Sequence, residues 1–370
     1  NRGLPGTLIH RYIGGDSILT LNGSDWKRHR KIANKAFNQS MPIKLFGELT
    51  LQMFDTIDNL GSTVEVADLF QRLTIDVIGF HFNSLVDRDN KWVSYYNSVK
   101  EGMLHPFFVV FPLFDSTLLR FFPKRQKIHD NLTEFTNMMD TIIEDKRKQL
   151  LAEKLDQDTV KDQSERDLLT LMLESENDEQ VVLSNEELRN NLCIFFLAGH
   201  DTTSFSLSFM IYELAKNQDL QEKARKEALE ILGNDHRDNL PTAEQTKNMT
   251  FINAVMKETM RLHPAVNTTT VREVTEDCHL GEIFIPKGTQ VASDIINLHH
   301  CGKLWRNPHE FNPDRFLPGG EYEQHASSGL TWIPFSAGGR ICVGMNFSLA
   351  EQRVVLSMLC KYKLHFFYIK

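Results

Sequence analysis

The chain is poor in cysteine, with five in 370 residues. Cys193, Cys278, Cys301, Cys342 and Cys360 are an odd number, widely spaced, with no paired or zinc-type interval. A disulfide framework is excluded on that count, and a reducing compartment is expected. Positive charge is also short: the formal net charge is −8, which argues against a nucleic-acid partner. No apolar run approaches the roughly 20 residues a membrane-spanning helix needs; the longest are Leu192 to Gly199 and Pro106 to Leu113. No Gly-x-Gly-x-x-Gly follows a strand-like segment, so no flavin or nicotinamide site is visible. Repeats, low-complexity tracts and linkers are absent, and residues 1–370 read as one domain. The chain opens without an initiator methionine, at Asn1-Arg-Gly-Leu-Pro5, and is expected to be a fragment or to lack its N-terminus.

What is present is mostly helical pattern. Leu69, Leu73, Val77 and Phe80 recur at helical spacing, and Ile128 to Leu155 alternates polar and apolar with charges outward. A lysine- and glutamate-rich stretch from Glu144 to Asp167 reads as a solvated helix end and loop. Asp219 to Leu232 is a further helix, stopped at Gly233. After Pro264 the pattern changes. Leu280 to Asp294 alternates as a small β hairpin would, with its turn expected at Ile285-Pro286-Lys287-Gly288. A proline- and asparagine-rich coil runs from Asn307 to Gly320, and a last apolar helix from Gly344 to Tyr362. The expected class is mainly α, with a small β region.

Three segments carry chemistry. Phe335-Ser-Ala-Gly338-Gly-Arg340-Ile-Cys342-Val-Gly344 sets one cysteine in a glycine-rich loop. Glycines let backbone come close, the arginine offers a fork of donors to a carboxylate, and a thiolate is a soft, strongly donating ligand. The layout suits a thiolate presented to a flat metal cofactor; a buried structural cysteine is the plainer alternative. Ser184-Asn-Glu-Glu187 is a capping box that opens a long apolar helix to about Ala215. Inside it, Ala198-Gly199-His200-Asp201-Thr202-Thr203 places poor helix formers where they cost stability, and threonine hydroxyls there bond back to carbonyls. Either two helices meet at this notch, or a kink holds an acid and an alcohol beside a reactive centre. Glu258-Thr-Met-Arg261 can pair within one helical turn, ahead of Leu262-His263-Pro264 and Phe311-Asn-Pro-Asp-Arg315-Phe316. Near the start, Trp26-Lys-Arg-His-Arg30 puts an indole and a guanidinium one turn apart, which a basic helix face also explains.

Together these segments resemble the cytochrome P450 family, from about Gly23 to Tyr362 and in the family's order. The resemblance implies the P450 fold, a large helical bundle around haem with a small β-sheet region. By the same resemblance, the chain is expected to lack the N-terminal anchor with the first helices and strands, and the last strands. It implies that Cys342 is the axial ligand of haem b and the metal-binding residue, in a loop formed with Phe335, Gly338 and Gly344. Trp26, Arg30, Arg272 and Arg340 match positions that bind the haem propionates, and Ala198 lies beside the cofactor. Asp201 and Thr202 match the oxygen-activation motif as proton relay and hydrogen-bonding alcohol. Glu258, Arg261 and Arg315 match a structural core under the cysteine loop.

The implied activity is that of an oxidoreductase, a haem-thiolate monooxygenase that inserts one oxygen atom from O2 into a lipophilic substrate. Its electrons would come from an NADPH-dependent reductase. A haem-thiolate isomerase or peroxygenase, or a non-catalytic haem-binding fragment, is the alternative. The family's microsomal type implies a monomer on the cytoplasmic face of the endoplasmic reticulum membrane. Its fatty-acid and alkane hydroxylase branch, or fungal relatives, look most similar. Alanine at position 198 excludes the ester link to haem that some members of that branch form through a glutamate there. Phe195, Val266 and Thr268 are the candidate substrate-lining positions. Leu104 to Phe122 holds six phenylalanines; ordinary core packing is expected of them first, with a lid that dips into a bilayer as the alternative.

Overall fold

The computed structural model describes residues 4–39, 41–60, 63–80, 84–85, 87, 90–155, 168–179, 182–234, 239–325 and 330–362. The chain divides into two compact units, Asn1–Ser204 with Asn346–Ala350, and Phe205–Met345 with Glu351–Lys370.

The first unit is helical among the described residues. It holds α1 (Leu8–Ile13), α2 (Gly23–Gln39), α3 (Ile43–Leu60), α4 (Val66–Ile75), α5 (Lys91–Met103), α6 (Pro106–Val110), α7 (Pro123–Leu155), α8 (Leu168–Glu179) and most of α9 (Asn185–Lys216). Helix α5 packs on α7, and α2 on α8. On α5, Val93, Tyr96, Val99 and Met103 recur at helical spacing and are all buried; on α7, Leu132, Phe135, Met139 and Ile143 do the same. The Tyr96 ring stands edge-on to Phe196 of α9 with centroids 4.6 Å apart, and Phe135 lies 5.6 Å from the same Phe196. Such offset aromatic contacts add to plain area burial.

The capping box forms as the spacing requires. Glu187 N–H donates to Ser184 Oγ at 3.1 Å and Ser184 N–H to Glu187 Oε2 at 2.9 Å. Arg28 of α2 also grips Glu187, and this bond more than any other holds the carboxyl down to about 2. Helix α9 then runs unbroken for 32 residues, some 48 Å at the usual rise. One continuous helix replaces the alternative of two joined at the notch. The Leu69 series continues from α4 into a π-helical turn, Asp76–Phe80. Asp76 fixes that turn by accepting the Ser84 and Leu85 amides at 2.9 and 3.0 Å. The lysine- and glutamate-rich run is helical to Leu155, and its remainder lies outside the described residues.

The phenylalanine-rich segment departs from its expectation of core packing. No residue of α6 is buried. Leu104, Phe107, Val109, Val110, Phe111, Leu113 and Phe121 all face solvent, Leu104 at 76% and Val110 at 66% of full exposure. The rings instead pack on one another, Phe107 lying 5.2 to 5.8 Å from Phe108, Phe111, Phe114 and Phe122. Underneath, a buried polar knot ties the segment down. Asp115, 2% exposed, accepts from Arg125 of α7 at 2.8 Å, from His129 at 2.9 Å and from the Leu8 amide at 2.9 Å. These donors overcome burial and leave the Asp115 carboxyl far below the carboxylate range.

The second unit holds α10 (Gln218–Leu232), α11 (Ala243–Asn248), α12 (Thr250–Leu262), β1 (Arg272–Glu273), β2 (Cys278–Leu280), β3 (Ile283–Ile285), β4 (Gln290–Val291), α13 (Ile295–His299), α14 (Glu321–Gln324) and most of α15 (Met345–Tyr362). Helix α10 ends at Gly233, as expected, with φ +73°. The strands pair as two small antiparallel ladders, β2 with β3 and β1 with β4. The hairpin turn is therefore Gly281-Glu282, with glycine at the positive-φ position (+61°), the pattern of a two-residue type II′ loop. Pro286 to Thr289 is also a turn, closed by Thr289 N–H on Pro286 O at 3.2 Å, but it leads from β3 into β4. The C-terminal carbonyls of α15 are capped by Arg225, which donates to Cys360 O and Lys361 O at 3.0 and 2.7 Å.

Candidate active site

In the second unit the cysteine loop is a closed backbone cradle. Ser336 N–H donates to Ile333 O and Cys342 N–H to Phe335 O, both at 3.0 Å, and Ile341 N–H to Gly338 O at 3.1 Å. Gly338 has φ +75° and Ser336 +62°. The first is natural for glycine and the second costs a side-chain-bearing residue. A Cβ on Gly338 or Gly339 would meet nothing within 4 Å, so this face of the loop is open. Cys342 is exposed and in no disulfide. It lies three residues before α15, whose N-terminal amides and dipole favour an anion. Phe335, Arg340 and Gly344 are half-buried, whereas Arg272 on β1 is exposed opposite Val291. Val266 and Thr268 are exposed, Thr268 in a bridge with Asp294.

Beneath the loop, Glu258, Arg261 and Arg315 come together out of solvent. Arg261 grips Glu258 with two parallel bonds, 2.7 Å from Nε and 2.9 Å from Nη2. Arg315 Nε donates to Glu258 Oε1 at 3.3 Å and its Nη2 to Asn307 O at 3.0 Å. Arg261 Nη1 reaches His299 O at 2.8 Å and Pro308 O at 2.7 Å, and Asn312 N–H closes on Glu258 at 2.9 Å. A buried charge group satisfied this fully sets where the coil from Asn307 to Phe316 lies.

In the first unit, α9 carries the acid and the alcohol. Thr202 Oγ1 donates back to Ala198 O at 2.7 Å. Ala198 is exposed and Thr202 half-buried, whereas Leu192 to Phe196 are all buried. Phe195 belongs to that buried run, its ring edge-on to Phe37 at 5.1 Å. Asp201 Oδ1 lies 3.0 Å from Lys100 Nζ on α5 and 3.1 Å from His200 Nε2. Burial alone would raise its carboxyl, but the His200 ring and then Lys100 outweigh burial and hold it below the usual value. His200 is buried, its Nδ1 donating to Phe196 O at 2.6 Å. Trp26 and Arg30, on α2, are both half-buried. The motif does not reveal Lys100, which sits on an ordinary amphipathic helix; His200 was visible only as one polar residue in the notch.

Among the described residues, no three His, Cys, Asp or Glu side chains cluster as a metal site. A single exposed cysteine suits a metal that brings its remaining ligands with it. The open face of the loop suits a flat group, so the residues of this unit fit a haem.

The family model for cytochrome P450 matches residues 3–366. The chain belongs to the cytochrome P450 family. It is 30% identical over 377 residues to cytochrome P450 4c21 of Blattella germanica, covering 96% of this chain and 72% of that protein. It is also 30% identical to human cytochrome P450 3A5, over 92% of this chain and 68% of that protein. A cytochrome P450DA haem domain shares the fold at TM-score 0.77 and 24% identity, covering 97% of this chain and 74% of that one. Membership makes the P450 a monooxygenase of haem-thiolate type and makes the helical bundle with small sheets its family fold.

Proposed function

We propose that Cys342 is the haem ligand of this P450 and that a lipophilic molecule is its substrate, oxidised with electrons that an NADPH-fed reductase delivers. The observation that carries the reading is an exposed thiol held on an open-faced backbone cradle over a buried ion-paired core. Haem, when bound, supplies oxygen activation and insertion of one oxygen atom, driven by the electron push of the thiolate. Trp26, Arg30, Arg272 and Arg340 are the donors for its two carboxylates. Residues 1–370 act as a single catalytic domain, and Phe195, Val266 and Thr268 contribute to substrate selection. Lys100 and His200 hold the Asp201 carboxylate in place, and protons from solvent pass through it transiently. Thr202 hands them on by rotating its hydroxyl away from Ala198 O. An acid-alcohol pair with such a relay favours the reductase-fed reaction over an isomerase or peroxygenase.

The exposed apolar segment around α6 is the membrane contact. Arg120, Lys124 and Lys127 flank it, all exposed, and its acid Asp115 is buried and paired. That combination fits an anionic leaflet and a place on the cytoplasmic face of the endoplasmic reticulum. No helix among the described residues is long and apolar enough to cross a membrane.

The test is the carbon monoxide complex of the reduced, haem-loaded protein. A strongly red-shifted Soret band is expected, and Cys342→Ser should abolish it. An unchanged band in the variant would refute the assignment.

A further inference from the structure

Below the cysteine loop, one side chain joins the buried charge group to the loop itself. His299, at the end of α13, is 0% exposed. Its carbonyl accepts from Arg261 Nη1 at 2.8 Å, and its ring Nε2 accepts from the Ile333 amide at 2.9 Å. Ile333 O in turn accepts from Ser336 N–H, and Phe335 O from Cys342 N–H, each at 3.0 Å. The path Glu258, Arg261, His299, Ile333, Ser336 is thus continuous and ends in the loop that carries Cys342. A backbone amide can only donate, so Nε2 carries no proton and the ring is neutral.

We propose that His299 is the positioning residue of the thiolate loop, an uncharged acceptor whose protonation unhooks the loop from the core. With a proton on Nε2, two donors would face each other across 2.9 Å, and the contact could not persist. Burial, aided by the Arg261 charge, pushes the imidazole down to about 4, which keeps it neutral over the ordinary pH range. The charged and titratable groups around it are Arg261 and Glu258 on α12, Arg315 through Glu258, and His300 with His309 beside it. The segment from Leu330 to Ser336 brings none. The sign follows. A depressed imidazole contributes its full stabilisation above the unfolded value near 6.5, and loses it as pH falls towards 4.

Two substitutions separate the role from simple packing. His299→Gln places an acceptor where Nε2 stands and does not titrate; His299→Asn places it where Nδ1 stands. The haem-loaded protein is titrated from neutral to acid pH, reading the thiolate-type carbon monoxide band and, by mass spectrometry, hydrogen exchange of the peptide spanning 331–336. In the wild type, band loss and faster exchange should share one acid midpoint. His299→Gln should keep the band at neutral pH and move that midpoint down by about one pH unit or more. His299→Asn should exchange about tenfold faster in 331–336 at neutral pH, as one lost hydrogen bond implies. A wild-type midpoint in His299→Gln, equal behaviour of the two variants, or loss of the band in both would overturn the proposal. The spectral arm rests on Cys342 being the ligand. If the wild type lacks the band while exchange behaves as described, it is the ligand assignment that fails.

Discussion

Asp201 is paired with a residue about a hundred positions earlier. After the His200 ring, Lys100 Nζ at 3.0 Å helps hold the carboxyl below its usual value against burial, because an opposite charge at that distance favours the charged form. Lys100→Met should therefore raise the Asp201 carboxyl and shift the acid limb of reductase-supported oxygen consumption to higher pH, with the alkaline limb unmoved. A pH profile of both proteins checks this. Thr202 makes a separate prediction, since its hydroxyl already has a resting bond to Ala198 O. Thr202→Val keeps the shape and loses the hydroxyl. Product per NADPH should fall by about tenfold or more, the low end of what a positioned proton donor supplies, while NADPH oxidation continues. Quantifying product against NADPH in one assay decides it. Residue types at short fixed spacing are what make Asp201, Thr202 and Cys342 candidates in the sequence. Their long-range partners left no such trace, because Lys100 and His299 lie on stretches that any amphipathic helix could supply.

At the level of elements, α12 and the coil after it depend on one buried charge group. Glu258→Gln would leave Arg261 and Arg315 out of water without their shared anion, a loss of about 3–5 kcal/mol. A urea midpoint well below that of the parent protein, with haem loss at the same concentration, is the expected reading. The hairpin shows how local signals can mislead. Pro286 and Gly288 mark a turn correctly, yet composition does not say which strands a turn joins. Gly281, a lone glycine before a glutamate, closes the hairpin through its positive φ. The segment around α6 fails for a different reason. Phenylalanine content measures how apolar a stretch is and carries no information on whether protein or another apolar phase covers it. Charged replacements Phe107→Glu with Phe111→Glu should release the protein from anionic liposomes in a flotation assay. Phe37→Leu, in the buried cluster with Phe195, should not.

Across the whole chain, the helical majority was readable because long periodic stretches dominate, as α7 and α9 do, and a small β region because alternation and turn residues coincide, although as one hairpin rather than the two ladders observed. Partners that meet through folding rather than through sequence proximity had to be seen. Among the chain's thiols the same contrast holds. Cys193 and Cys360 are buried, and burial drives the Cys193 thiol up to about 12, so neither can compete with Cys342 as a thiolate. Finally, the knot of Asp115, Arg125 and His129 anchors the base of the α6 segment, whose rings hold one another with their outer faces wet. Kept in plain buffer, two molecules would bury those faces against each other. Self-association that grows with concentration, and that a non-ionic detergent micelle reverses, follows from that surface.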